Sequence, residues 1–148
     1  MLPHCLRILL ASIACGFLFN WLMPQGIGFL PEEVSNPLWQ PIALNAAFKR
    51  LNRGSLFVDA RDPIQYKQAH ILNAINLPPA DLDLFFPILK QQLSNARSIV
   101  VYGRTFSSWP AATIAQYLRK QGINKVYVLH DTFVQWKEAG YPTSNKSA

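Results

Sequence analysis

The chain has 148 residues, half of them hydrophobic and 15% charged, a length that suits one domain and not two. Aromatic residues make up 12%, enough for a core, and with so few charges the composition excludes intrinsic disorder. Cysteine occurs twice, as Cys5 and Cys15, so residues 16–148 hold no thiol for a disulfide, a zinc site, a redox pair or a thiolate nucleophile.

The net charge is +6, from 14 Lys and Arg against 8 Asp and Glu. A basic balance raises nucleic acid and anionic membrane as partners. The basic residues are scattered singly or in pairs, as in Lys49-Arg50 and Arg119-Lys120, and no basic run carries interleaved aromatics. The charge therefore reads as solubility beside a membrane, with no nucleic-acid partner.

Residues 8–31 carry no charge, and their first part is dense in Leu, Ile, Phe and Ala. A helix needs about 20 mainly apolar residues to cross a ~30 Å hydrocarbon core. Residues 8–30 reach that length, interrupted by Asn20 and Pro24, with Trp21 as an interfacial anchor. The segment thus predicts one transmembrane helix in a single-pass membrane protein. Two alternatives stay open. Arg7 before a short apolar stretch fits a cleaved signal peptide, although no A-x-A site follows. A lipoprotein signal would acylate Cys15, but Ser12-Ile13-Ala14-Cys15 lacks the usual preceding Leu. Arg7 precedes the span and the next basic residues are Lys49 and Arg50, so the positive-inside bias places the domain on the extracytoplasmic side.

Pro24, Gly26, Gly28, Pro31, Pro37 and Pro41 oppose regular structure. The division is an anchor or uncleaved signal over 1–31, a connector over 32–41, a domain over 42–143 and a tail over 144–148. Within the domain, apolar spacing predicts a helix over 42–52, with Gly54 as its stop. Short buried strands follow at 56–58 and 74–77, separated by a helix over 63–69 with Pro63 in its first turn. A helix over 81–93 should split or kink at Pro87. Residues 98–102 (SIVVY) are the most strand-like in the chain. A helix over 110–121, a strand over 125–129 and a helix over 133–139 complete the domain. Short apolar strands alternating with helices imply an α/β fold, a small parallel sheet flanked by helices. The working site of such a sheet lies at the carboxyl ends of its strands, which here means the loops after Val58, Tyr102 and Leu129.

Those loops carry recognisable text. VDARDPIQYKQAHILNAINLP (58–78) resembles the opening signature of a rhodanese domain, with Asp-x-Arg, an aromatic, His-Ile and Ala-Ile-Asn in order. VVYGRTFSSWPAATIAQYLRKQGINKVYVL (100–129) resembles that family's central strand, active-site loop and following helix. VYVLHDTFVQWKEAGYP (126–142) resembles its closing strand and helix. The resemblance runs in register from Trp39 to Pro142 and implies a rhodanese-like fold. It also implies the family's chemistry, in which a cysteine thiolate at the end of the central strand attacks the outer sulfur of thiosulfate. Loop amides then stabilise the anionic sulfur.

The departures from that pattern matter as much. Gly103 stands where the resemblance places the nucleophilic cysteine, Ser108 where many members have a second basic residue, and Asp131-Thr132 where Gly-Gly is usual. Arg104 matches a common basic position. Glycine has no atom to carry sulfur, so no residue is expected to be catalytic. The loop Gly103, Arg104, Thr105, Phe106, Ser107, Ser108 and Trp109 is expected to bind a small anion or another ligand. Asp59 and Arg61 read as a structural ion pair or cap ahead of catalysis, and His70 as a turn-anchoring hydrogen bonder ahead of a proton carrier. Arg104 is open between an anion ligand and a solvated arginine. The loop hydroxyls could equally cap the helix at Pro110. A serine nucleophile would need a base, and no spacing pairs His70 or His130 with one. Phe106 and Trp109 either line a pocket mouth, contact a partner or pack in the core.

The expectation is a membrane-anchored, non-catalytic binding or accessory module. It needs no cofactor and no metal, and its partner is a membrane protein or a small anion. The alternative is a thiosulfate-type sulfurtransferase that works with a partner's thiol.

Overall fold

The computed structural model describes residues 2–22, 38–104 and 109–145, within two compact units, Met1–Asn36 and Pro37–Ala148. In the first unit a single helix, α1, spans Leu2–Leu22. No helix among the described residues is long and apolar enough to cross a membrane, which corrects the expected span over 8–30. The helix starts earlier than expected, so His4 and Arg7 occupy its first turns. Its apolar part, residues 8–22, rises only about 22 Å at 1.5 Å per residue, short of the ~30 Å core. The rest of the expected span, from residue 23, lies outside the described residues.

In the second unit five strands form one parallel sheet in the order β1-β6-β5-β2-β4. They are β1 Gln40–Ile42, β2 Leu56–Asp59, β4 Ile75–Asn76, β5 Ile99–Tyr102 and β6 Val126–Leu129. One row crosses the whole sheet: Pro41 pairs with Val128, Val128 with Val101, Val101 with Val58 and Val58 with Ile75. A short antiparallel pair, β3 His70–Ile71 with β7 Thr143–Ser144, stands apart from it. The helices are α2 Leu44–Leu51, α3 Pro63–Gln68, α4 Leu82–Asn95, α5 Trp109–Lys120 and α6 Phe133–Glu138.

The alternation of side chains along each strand sorts the core into two layers. Val58, Ile99, Val101, Val126 and Val128 point to one face and pack with Phe86 and Leu93 of α4 and Ile114 and Leu118 of α5. Phe57, Val100, Tyr102 and Leu129 point to the other, against Ala47 of α2 and Phe133 and Trp136 of α6. Both faces are covered, which is why the strands read as continuous apolar runs. Trp136 is fully buried and donates its indole N–H to the Pro142 carbonyl at 3.1 Å, tying the end of the chain to the second layer.

Three features depart from expectation. The connector expected over 32–41 ends in β1, and the tail expected from 144 begins inside β7, so the bounds 42–143 cut through both strands. Pro41 had argued against a strand, but β1 pairs only with β6 at the sheet edge, where a missing N–H is tolerated. Helix α4 runs unbroken through Pro87. Asp83, whose carbonyl loses its partner there, is exposed on the outer side of the helix, so water can take that carbonyl's hydrogen bond.

Expressed alone, the unit Pro37–Ala148 should unfold in one cooperative step, because both core layers are built from its own residues. Thermal denaturation followed by circular dichroism checks this, and a broad non-cooperative melt would show that part of the core lies outside the unit.

Candidate functional site

Parallel strands bring their carboxyl ends to one edge of the sheet, and there the chain assembles a buried polar cluster. Asp59 ends β2 and is completely buried, as is Tyr102 at the end of β5. Arg61, two residues beyond Asp59, folds back on it. Its Nε lies 2.9 and 3.1 Å from the two carboxylate oxygens, and its Nη2 donates to Oδ2 at 2.6 Å. The Arg61 backbone N–H donates to Oδ1 at 2.9 Å. The Tyr102 hydroxyl donates to Asp59 Oδ2 at 2.7 Å and accepts from the Ile71 N–H at 3.0 Å.

The guanidinium has further neighbours. Its Nη2 donates to the Ala69 carbonyl at 2.7 Å, and its carbon sits 3.9 Å from the centre of the Phe133 ring, a cation–π contact. Asn76 donates to the carbonyls of Asp59 and Arg61 at 3.0 and 2.9 Å, closing the turn after β2. Burial opposes the charge on Arg61, but the hydrogen bonds and charge of Asp59, aided by Tyr102, outweigh it and raise the guanidinium above its usual range. Burial and then the Asp59 charge and hydrogen bond hold the Tyr102 phenol far above its usual range. Tyr66 is raised as well, by burial and the charge of Asp59.

His70 is buried beside this cluster. Its Nδ1 lies 2.8 Å from the Tyr66 carbonyl, which can only accept, so Nδ1 carries the proton. The imidazole stacks on the Tyr66 ring at 4.0 Å, and the Tyr66 hydroxyl donates to the Ala74 carbonyl at 2.7 Å. Asp59, Arg61 and His70 thus come together from β2, the following loop and β3. Tyr102, Phe133 and Asn76 complete the group. The sequence reading had not singled them out as site residues, although a tyrosine closing an otherwise aliphatic strand is the signal that could have found Tyr102.

Gly103 follows β5 directly and is buried. Its φ lies outside the left-handed region, and a Cβ added there would meet the Ala111 Cβ at 3.8 Å, an ordinary contact. Neither backbone nor space demands glycine. Arg104 is exposed. With the Gln65 amide turned to satisfy both neighbours, Gln65 donates to Asp62 Oδ2 at 2.8 Å and accepts from Arg104 Nη1 at 3.2 Å. Thr105, Phe106, Ser107 and Ser108 lie outside the described residues. Trp109 opens α5 with its side chain 65% exposed, outside the core. Asp131 turns toward α2, where its Oδ2 accepts from the Leu44 N–H at 2.9 Å and so caps that helix. Thr132 caps α6 in a reciprocal box with Gln135.

His130 is exposed. No three His, Cys, Asp or Glu residues among those described gather into a metal-holding group. A groove of about 420 Å³ lined by Ser94, Arg97, Gln121, Asn124 and Lys125 precedes β5 and β6. It therefore lies at the opposite edge of the sheet from this cluster.

The sequence profile described as "Rhodanese-like domain" matches residues 44–139. A protein of Coxiella burnetii (strain RSA 331 / Henzerling II) named thiosulfate sulfurtransferase GlpE is 31% identical over 93 residues, covering 63% of this chain and 80% of that protein. The crystal structure of the Alr3790 protein from Anabaena sp. superposes with a TM-score of 0.61 at 25% identity, over 72% of this chain and 94% of that one. The solution structure of the rhodanese-like domain of Alr3790 gives a TM-score of 0.58 at 27% identity, over 74% and 80% of the two chains.

Asp59→Ala leaves the Arg61 charge buried without its partner and should cost about 3–5 kcal/mol of unfolding free energy. Tyr102→Phe strips one hydrogen bond from Asp59 and leaves the Ile71 N–H unpaired, a loss of about 1–3 kcal/mol. The raised phenol of Tyr102 contributes stability that is full below the unfolded tyrosine pKa of about 10 and falls as pH rises beyond it. Denaturant titrations between about pH 9 and 11 should show that fall, and Tyr102→Phe should make it shallower. An unchanged slope would mean that Tyr102 ionises without opening the fold.

Proposed function

Since the chain belongs to the rhodanese-like domain family, we propose that it is a member that binds its ligand without transferring sulfur. One observation carries this reading: residues 16–148 contain no cysteine, and the residue after β5 is Gly103. Sulfane transfer needs a soft nucleophile that survives as a persulfide, which hydroxyls and imidazoles do not provide. The buried Asp59–Arg61–Tyr102 cluster bonds mainly within itself and to the Ala69 and Ile71 backbone, so its role is to hold the carboxyl ends of β2 and β5 together. The ligand is a small anion of the thiosulfate or sulfate kind, met by Arg104, with the exposed Trp109 at the start of the next helix. Exposed cationic Arg104 next to Gly103 and the outward turn of Asp131 toward α2 support that choice.

A second reading, sulfur transfer through a thiol brought by a partner, is favoured by the likeness to a protein named thiosulfate sulfurtransferase. It would also use the room for a Cβ beside Ala111.

The purified chain should give no thiosulfate sulfurtransferase activity above a no-enzyme blank, and metal-independent turnover would overturn the binding reading. Thiosulfate or sulfate should raise the melting temperature of the Pro37–Ala148 unit, as any ligand of the native state does. Arg104→Ala should abolish that rise. In a chain with Cys5→Ser and Cys15→Ser, the added change Gly103→Cys should still fold, because the new Cβ meets only an ordinary contact. Its thiol should alkylate faster than a free cysteine. Activity appearing only when a small thiol is supplied to the unmodified chain would favour the second reading.

A further inference from the structure

The features of α1 call for an explanation that the ligand-binding reading does not supply. Ile8, Leu9, Leu10, Leu18, Phe19 and Trp21 are between 53% and 82% exposed. Successive helical residues point about 100° apart, so Ile8, Leu9 and Leu10 alone face three directions, and Leu18, Phe19 and Trp21 fill in the circumference. A helix that is apolar all round belongs in a core or in lipid rather than in water. A second copy of the chain would cover only one stripe of it, as in a coiled coil, and leave the rest wet.

Two further observations select lipid. The Ser12 hydroxyl donates to the Ile8 carbonyl of its own helix at 2.9 Å, so this polar group needs nothing from water. The charge pattern also fits: α1 holds Arg7 near its start and no acidic residue, and the whole chain carries +6, complementary to anionic headgroups.

We propose that lipid covers α1, with residues 8–22 embedded in the hydrocarbon of an anionic membrane and Arg7 at headgroup level. The apolar rise of about 22 Å lets the helix sit in lipid without spanning it. This proposal does not depend on what the sheet-edge site binds.

The cysteines of the chain, Cys5 and Cys15, both lie on α1 and both are exposed, so Cys15 reports its own surroundings once Cys5→Ser has been made. The full chain with that change is diluted from detergent into buffer, with or without vesicles. One set of vesicles is phosphatidylcholine alone and the other is phosphatidylcholine mixed with phosphatidylglycerol. The chain should float with the anionic vesicles, and labelling of Cys15 by a water-soluble maleimide should slow by about tenfold or more. Adding Ile13→Asp should abolish flotation and restore labelling, while the cooperative melt of the Pro37–Ala148 unit is unchanged. Equal labelling with and without vesicles would overturn the proposal. So would protection of Cys15 in lipid-free buffer that grows with protein concentration, because that would put a second copy on the helix. Undiminished flotation of the Ile13→Asp chain would overturn it too, by placing the attachment elsewhere.

Discussion

A carboxylate with no exposure to water, Asp59, is the constraint around which the sheet edge is arranged. An ionised group in that position is tolerable only if nearly every lone pair is met. Asp59 receives the Arg61 side chain through two nitrogens, the Arg61 backbone N–H and the Tyr102 hydroxyl. Each donor comes with structural consequences. Arg61 must fold back over its own loop, which lays its guanidinium on Phe133 and fixes the start of α6. Tyr102 must hold its register beside Asp59, and its oxygen then accepts from Ile71 and positions β3. One buried charge thereby links β2, β3, β5 and α6. The cluster gives the edge specificity more clearly than it gives net stability, since removing one partner is costly while the intact pair roughly offsets its own desolvation.

Much of this fold was legible in the sequence, and the reasons lie in particular residues. The runs Ile99–Tyr102 and Val126–Leu129 are apolar because both faces of the sheet are covered, so their strand character shows without context. Helices α5 and α6 announce themselves through Pro110 at the start of α5 and through Gly122 and Gly140 after their ends. The strands that escaped notice are those whose existence depends on a partner distant in sequence. Gln40-Pro41-Ile42 has no strand pattern of its own and becomes β1 by pairing with Tyr127-Val128-Leu129. His70-Ile71 and Thr143-Ser144 are two residues each and exist only as a pair. Pro87 leaves α4 unsplit for a related reason: whether a proline breaks a helix depends on whether the freed carbonyl reaches water, and that is a fact of orientation.

The site was legible to the same limit. Asp59, Arg61 and His70 could be picked out because they stand in the text, Asp-x-Arg and His-Ile, that resembles the rhodanese signature. Tyr102 read as one more apolar strand residue. Its function as the hydroxyl between Asp59 and Ile71 follows from the parallel register of β2 and β5, which pairing alone creates. The same holds for Asp131. A sequence can show a carboxylate after β6, but only the placement of α2 shows it accepting from Leu44.

Gly103 deserves a different kind of explanation from most glycines. A glycine held by architecture sits at positive φ, as Gly54 does at +76° where the chain leaves α2, or against a wall that excludes a Cβ. Gly103 meets neither condition, for its φ is ordinary and the nearest atom to an added Cβ would be Ala111 Cβ at 3.8 Å. The lack of a side chain there is therefore not a requirement of the fold. The buried network beside it is present, with Asp59, Arg61 and Tyr102 bonded to one another and to Ala69 and Ile71. Support for the sheet edge and the chemistry at its tip are thus physically separable. The support is made of buried charges and backbone carbonyls that cannot be altered singly without a large cost. The tip needs only one small side chain to gain or lose a nucleophile. That asymmetry allows a rhodanese-like scaffold to keep its sheet edge intact while the residue after its central strand carries no sulfur.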